Sequence, residues 1–273
     1  FLTFVAGVDA QDVVVADIDY WNGLYREHQN SGASFRDFGK YAGDREATFQ
    51  EWASHPHLDA YWDRYSPTAE ELADLNIPVL TITGAYDADQ AGALAHYRRH
   101  MAHGSAAAKA MHFLVIGPWD HVGTMTPRAE FGGLRFGPGS LVDVPGLHIQ
   151  WYNWIIQGSE KPGFLKDRVA YYVAGDEGWR YAPSLEAVTH QKDRLYLASM
   201  DGPSSPASDG VLSTAAPAEQ TSRHYVYDPC DTTYLGAFLG EPQLVEPDRD
   251  DAATRPCLVY RSAPLSSSRL VAG

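Results

Sequence analysis

The chain has 273 residues, room for one large domain or two ordinary ones, and its 44% hydrophobic and 12% aromatic content excludes wholesale disorder. Acids outnumber bases 35 to 21, giving a formal charge of −14 and excluding a protein built to grip nucleic-acid phosphates. No apolar run approaches the roughly 18 residues of a membrane-spanning helix. Cys230 and Cys257 are too few for a disulfide framework or a four-thiolate zinc site, and one bridge or two buried thiols both stay open.

Taken in chain order, three textures follow one another. In residues 1–75, Tyr20, Trp21, Leu24 and Tyr25 are spaced along one helical face. Phe49, Trp52 and Ala53 predict a second helix, and His57 to Tyr65 a third short one. This first region reads as a helical insertion. In residues 76–163, Ile77-Pro-Val-Leu-Thr-Ile-Thr-Gly84 is a short β-branched run suited to a strand covered on both faces. A helical pattern runs from Gln90 to Met101, and His112-Phe-Leu-Val-Ile-Gly117 is a second buried strand. Strand, helix, strand is a βαβ unit of an α/β sheet. A glycine-rich loop and an aromatic amphipathic helix over Leu147 to Ile156 close this region. In residues 166–273, Val169 to Gly175, Arg194 to Ala198, His224 to Tyr227 and Cys257 to Tyr260 read as short strands. Pro, Ser, Gly and Asp separate them, the pattern of an antiparallel sandwich or jelly roll. The chain opens on Phe1 in an uncapped apolar stretch and stops at Gly273 in what reads as a strand, so a piece of a longer protein is expected.

Two residues carry the chemistry. Asp87 lies just past the first buried strand and His121 just past the second, 34 residues apart. Active sites of open α/β sheets lie outside the carboxyl ends of strands, so adjacent parallel strands would bring the two together. A carboxylate that orients an imidazole is two thirds of a nucleophile–base–acid triad, and acid before base is the order of α/β-hydrolases. The third member is not found: no G-x-S-x-G elbow occurs, and none of Ser31, Ser34, Ser54 or Ser66 follows a buried strand between glycines. A serine upstream of Phe1 is therefore expected.

Each residue also has a plainer use. Asp87 could cap the helix that follows, Asp89 could be a first-turn residue, and His121 could pair with Asp120. Trp119 is a candidate pocket wall, with strand-end packing equally good. His96, His100 and His103 stand at metal-binding spacing, but a surface helix face is the better reading. Glu246 and Asp248 to Asp251 read as a solvated loop.

The runs Pro78-Val-Leu…Gly84-Ala-Tyr-Asp87 and Ile116-Gly-Pro-Trp-Asp-His121 resemble those of the cocaine-esterase-like (CocE/NonD) hydrolase family. That family is allied to the Xaa-Pro dipeptidyl-peptidases and α-amino-acid ester hydrolases. His55-Pro-His-Leu-Asp-Ala-Tyr-Trp62 with Ser66-Pro67, Phe136-Gly-Pro, Leu147 to Trp154, Val169 to Gly175 with Trp179-Arg180, Tyr227-Asp-Pro229, and Val259 to Pro264 through Leu270 to Gly273 are similar to further family segments.

The resemblance implies a helical cap over 1–75 and the C-terminal part of an α/β-hydrolase core over 76–163. A truncated β jelly roll over 166–273 would follow. It makes Asp87 the triad acid and His121 the base of a serine hydrolase acting on a small ester or amide or a short peptide. No cofactor, metal, nucleic acid or membrane is implied, and a homo-oligomer stays open. The alternatives are an Xaa-Pro dipeptidyl-peptidase, which would need acids to hold a free α-amino group, and a non-catalytic jelly-roll binding module.

Overall fold

A computed structural model describes residues 18–176, 178–189, 191–198, 210–218 and 260–271. Cys230, Cys257, the acidic stretch at Asp248, the strand expected at His224 and the Tyr227-Asp-Pro229 motif lie outside the described residues. Among the described residues, no helix is long and apolar enough to cross a membrane. The chain forms two compact units that divide after Thr68.

The first unit is helical. Helix α1 (Ile18–Ser31) is followed by a 3-10 segment (Phe35–Arg45), α2 (Glu46–Ala53) and α3 (Ala60–Asp63). Trp21, Phe38 and Phe49 form its core, with Leu24, Tyr25, Trp52 and Ala53 packed around them. Tyr20, one position off that stripe, is half exposed. At α3, the Asp59 carboxylate accepts from the Tyr61 amide at 2.9 Å and so caps the helix.

The second unit begins with α4 (Ala69–Asp74) and strand β1 (Val79–Gly84). Helices α5 (Gln90–His103) and α6 (Ala106–Ala110) lead to β2 (His112–Gly117). β1 and β2 pair in parallel from Val79↔His112 to Gly84↔Gly117, so both strands end at the same level. A parallel pair requires a crossover, and α5 and α6 supply it. After the two-residue strands β3 (Glu130–Phe131) and β4 (Leu134–Arg135) comes helix α7 (Val144–Gln157). Asp143 caps its start by accepting from the Gly146 amide at 2.9 Å, and Gly158 ends it in the left-handed region at φ 70°.

The alternation of β2 sorts its side chains onto two helices. Phe113 and Val115 meet Leu147 and Trp151 of α7, while Leu114 meets Leu94 and Tyr97 of α5. Covered on both faces, β2 reads as the continuous apolar run of a parallel-sheet strand.

Two expectations need correction. The strands expected to open a jelly roll, β5 (Val169–Val173) and β6 (Gly178–Ala182), join the α/β sheet, whose order is β1-β2-β5-β6. β5 pairs with β2 in parallel at Leu114↔Val169, and β6 returns antiparallel to β5. The physical reason is burial: Val169 and Ala170 complete the two clusters that β2 begins. A separate sheet contains β7 (Tyr196–Ala198), β8 (Gly210–Ser213) and β9 (Tyr260–Arg261), with β7–β8 antiparallel and β8–β9 parallel. Second, His100 is no surface residue: it is 0% exposed, whereas His96 and His103 are exposed. Leu94, Tyr97 and His100 are one helical stripe, and that stripe faces the sheet.

Candidate active site at the strand ends

Beyond the ends of β1 and β2 the two loops are tied together. The Ala85 amide donates to the Gly117 carbonyl at 2.8 Å, and the Tyr86 amide to the Trp119 carbonyl at 3.1 Å. Both strand-end glycines are required by close approach. A Cβ on Gly84 would overlap the Trp119 carbonyl, and one on Gly117 would overlap the indole ring.

These ties set Asp87 and His121 side by side. The Asp87 Oδ1 atom is 3.2 Å from His121 Nδ1 and also accepts from the Asp89 amide at 2.9 Å. Its Oδ2 accepts from the Thr83 hydroxyl at 3.3 Å. The Asp87 side chain is 6% exposed and that of His121 56%, a buried acid behind an accessible imidazole. Asp89 brings a second carboxylate: its Oδ2 is 3.4 Å from the same Nδ1, and its side chain is 79% exposed. Asp89 lies outside the first turn expected for it: it is the residue immediately before Gln90, the first of α5.

The competing partner for His121 is otherwise engaged. Asp120 Oδ1 accepts from the Gly123 amide at 2.6 Å, and its Oδ2 faces Arg128 at 3.7 Å. The backbone of His121 is held as well, its carbonyl accepting from the Thr124 hydroxyl at 2.6 Å.

Trp119, the candidate pocket wall, is a buried residue. It is 1% exposed, lies in the core with Val115, Leu147 and Trp151, and donates from Nε1 to the Ser140 carbonyl at 3.0 Å. Tyr86, one residue before Asp87, stacks on Phe136 at 5.9 Å, and its burial pushes the phenol pKa up.

Thr83 escaped the sequence reading. Its signal was weak: a hydroxyl inside an apolar strand, four residues before a strand-end acid. Asp87, Asp89 and His121 also offer one ligand atom each, all within 4.8 Å of one another, a donor set that a divalent cation could use. In the arrangement seen, the same Nδ1 faces the carboxylate oxygens directly.

A buried carboxylate bonded to the Nδ1 of an exposed histidine, at the carboxyl ends of parallel strands, is an arrangement that can fix the imidazole's tautomer and leave its Nε2 free to exchange a proton. The family model for X-Pro dipeptidyl-peptidases (S15 family) matches residues 9–123, a span that contains both Asp87 and His121.

Two solved structures resemble the chain. An α-amino acid ester hydrolase aligns at a TM-score of 0.54 and 22% identity over 76% of this chain and 33% of its own. An aminopeptidase from a marine sediment archaeon, Thaumarchaeota archaeon, aligns at a TM-score of 0.50 and 21% identity over 71% of this chain and 31% of its own. The chain thus spans about a third of the length of each. No curated protein matches it.

Proposed function

We propose that this chain carries the acid and base of a serine hydrolase of the peptidase or ester-hydrolase kind, related to the cocaine-esterase-like enzymes. The observation that carries the reading is the 3.2 Å contact between buried Asp87 and His121 Nδ1 at the ends of two parallel strands. With Nδ1–H donated to Asp87, Nε2 is the nitrogen that moves the proton. The serine hydroxyl gives its proton to Nε2 as it attacks the ester or amide carbonyl. The imidazolium, steadied by Asp87, then protonates the leaving group. Water repeats the cycle on the acyl-enzyme.

The serine belongs to a part of the protein outside this chain. In support, the sequence contains no elbow motif, and the chain corresponds to a third of the structures it resembles. In the same reading, residues 18–68 contribute a helical cap and the last strands part of a β jelly roll.

A substrate with a free α-amino group fits the site best. The names of the family model and of both structures, X-Pro dipeptidyl-peptidase, aminopeptidase and α-amino acid ester hydrolase, are of enzymes whose substrates carry an α-amino group. Asp89 supplies a matching feature, an exposed carboxylate beside His121 that could pair with an ammonium.

The test uses the full-length protein and a fluorophosphonate probe. Labelling that disappears in His121→Ala supports the hydrolase. Labelling and turnover that survive the change overturn the assignment of His121, and no labelling at all moves a non-catalytic binding module to the front. Aminoacyl anilides compared with their N-acetylated forms then test the amino-group preference, which Asp89→Asn should weaken.

A further inference from the structure

At the opposite end of the same strands, His112 opens β2 and His100 faces it from α5. Both are 0% exposed. Their Nδ1 atoms are 2.8 Å apart, and His112 Nε2 is 2.9 Å from the Thr81 hydroxyl of β1. The remaining ring nitrogen, His100 Nε2, is buried without a hydrogen-bond partner. Gly104 closes over it so tightly that a Cβ there would stand 3.0 Å from Nε2.

Two Nδ1 atoms at hydrogen-bond distance share one proton between them. In the neutral pair the shared bond and the one to Thr81 are both made, and His100 Nε2 alone lacks a partner. A further proton would either set two N–H groups against each other on the shared edge or leave a charged N–H on His100 Nε2 with nothing to accept it.

The surroundings offer no compensation. The groups that act on the imidazoles are His96 of α5 and Lys109 of α6, both of them potential cations. Tyr97 lies against the His112 ring, edge to face at 4.7 Å, and Glu186 and Arg168 act on the Tyr97 phenol beyond it. No carboxylate is among the groups that act on either imidazole.

We propose that the His100–His112 pair is an acid-labile latch, and that proton uptake by the two imidazoles releases α5 from the sheet. α5 begins at Gln90, whose amide donates to the Asp87 carbonyl at 3.0 Å, so release would disturb the acid loop at the other end of the strands.

The direction follows from linkage. Burial lowers both pKa values, that of His112 to about 3 from an ordinary 6.5. The open form therefore binds more protons than the closed one between those values, and the latch weakens as pH falls below about 6.5. Between pH 7.5 and pH 5, His112 alone should raise the opening equilibrium about 30-fold. His100 adds in the same direction.

Hydrogen exchange of the amides from Leu94 to His100, corrected for intrinsic chemical rates, reads that equilibrium on the chain itself. The expected result is a rise of at least this size, and its loss in the double variant His100→Leu, His112→Val. Equal opening at both pH values, or an undiminished rise in the double variant, would overturn the latch. If the variant does not fold, imidazole nitrogen shifts of the wild type decide. The His112 ring should stay neutral at pH 5 in the closed form, and a charged His112 there would overturn the proposal.

Discussion

Asp87 is held by three donors with different tasks: the Thr83 hydroxyl takes Oδ2, and the Asp89 amide and His121 share Oδ1. Asp87→Asn keeps the shape and an acceptor oxygen for the Asp89 amide and His121, but removes the negative charge that would steady an imidazolium in the proposed mechanism. Turnover of the full-length protein should fall by on the order of 10³–10⁴, with the thermal midpoint little changed, as steady-state kinetics and calorimetry would show. Gly84 acts through packing. Gly84→Ala drives a Cβ into the Trp119 carbonyl, and a backbone carbonyl in a tied loop cannot give way. Overpacking of that kind costs about 1–3 kcal/mol or more, and a lowered urea midpoint is the expected result. Trp119 was legible as a residue of interest beside His121. Its burial was not, because the indole's direction depends on the space that Gly84 and Gly117 leave.

Elements obey local rules where their ends are capped by neighbours in sequence. Asp143 sits before α7 with Pro145 in its first turn and Gly158 behind it, so both ends of that helix can be read from the chain. Asp143→Ala should cost about 1 kcal/mol, measured by urea titration. The short α3 depends on Asp59, whose carboxylate is bonded to His55 Nδ1 at 2.7 Å and to the Tyr61 amide at 2.9 Å. The side-chain bond from His55, more than any other cause, holds the Asp59 pKa below its ordinary 3.8. The stability it lends is present above 3.8 and is lost as pH falls through the lowered folded value. Amide exchange in Ala60–Asp63, corrected for intrinsic rates, should be faster at pH 2.5 than at pH 6. Strands are less local. Val169-Ala-Tyr-Tyr-Val has the same apolar pattern whether it extends an α/β sheet or opens a new domain, and only the pairing with β2 decides between them.

Across the whole molecule, a net charge of −14 governs encounter more than fold. At neutral pH the chain should bind an anion exchanger and pass through heparin unretained. Retention on heparin at moderate salt would reveal a basic patch hidden by the composition. The division after Thr68 falls a few residues before the boundary expected near 75, because α4 packs with α5 in the second unit. A short helix before a strand has no local mark saying which side of a boundary it serves.

Composition, apolar periodicity and strand-end chemistry were enough to determine the α/β class, the helices of the first region, and the placing of Asp87 and His121 at one edge. Those features follow from short-range rules: two buried runs of equal length, each ending in glycine, imply ends at the same level. Tertiary structure alone decided which nitrogen of His121 meets Asp87, that Thr83 and Asp89 join it, that β5 and β6 extend the first sheet, and that His100 is buried against His112. The His100–His112 bond spans 12 residues, the His121–Asp87 contact 34 and the Leu114↔Val169 pairing 55, and residues so far apart along a chain carry no mark of each other until the sheet brings them within bonding distance.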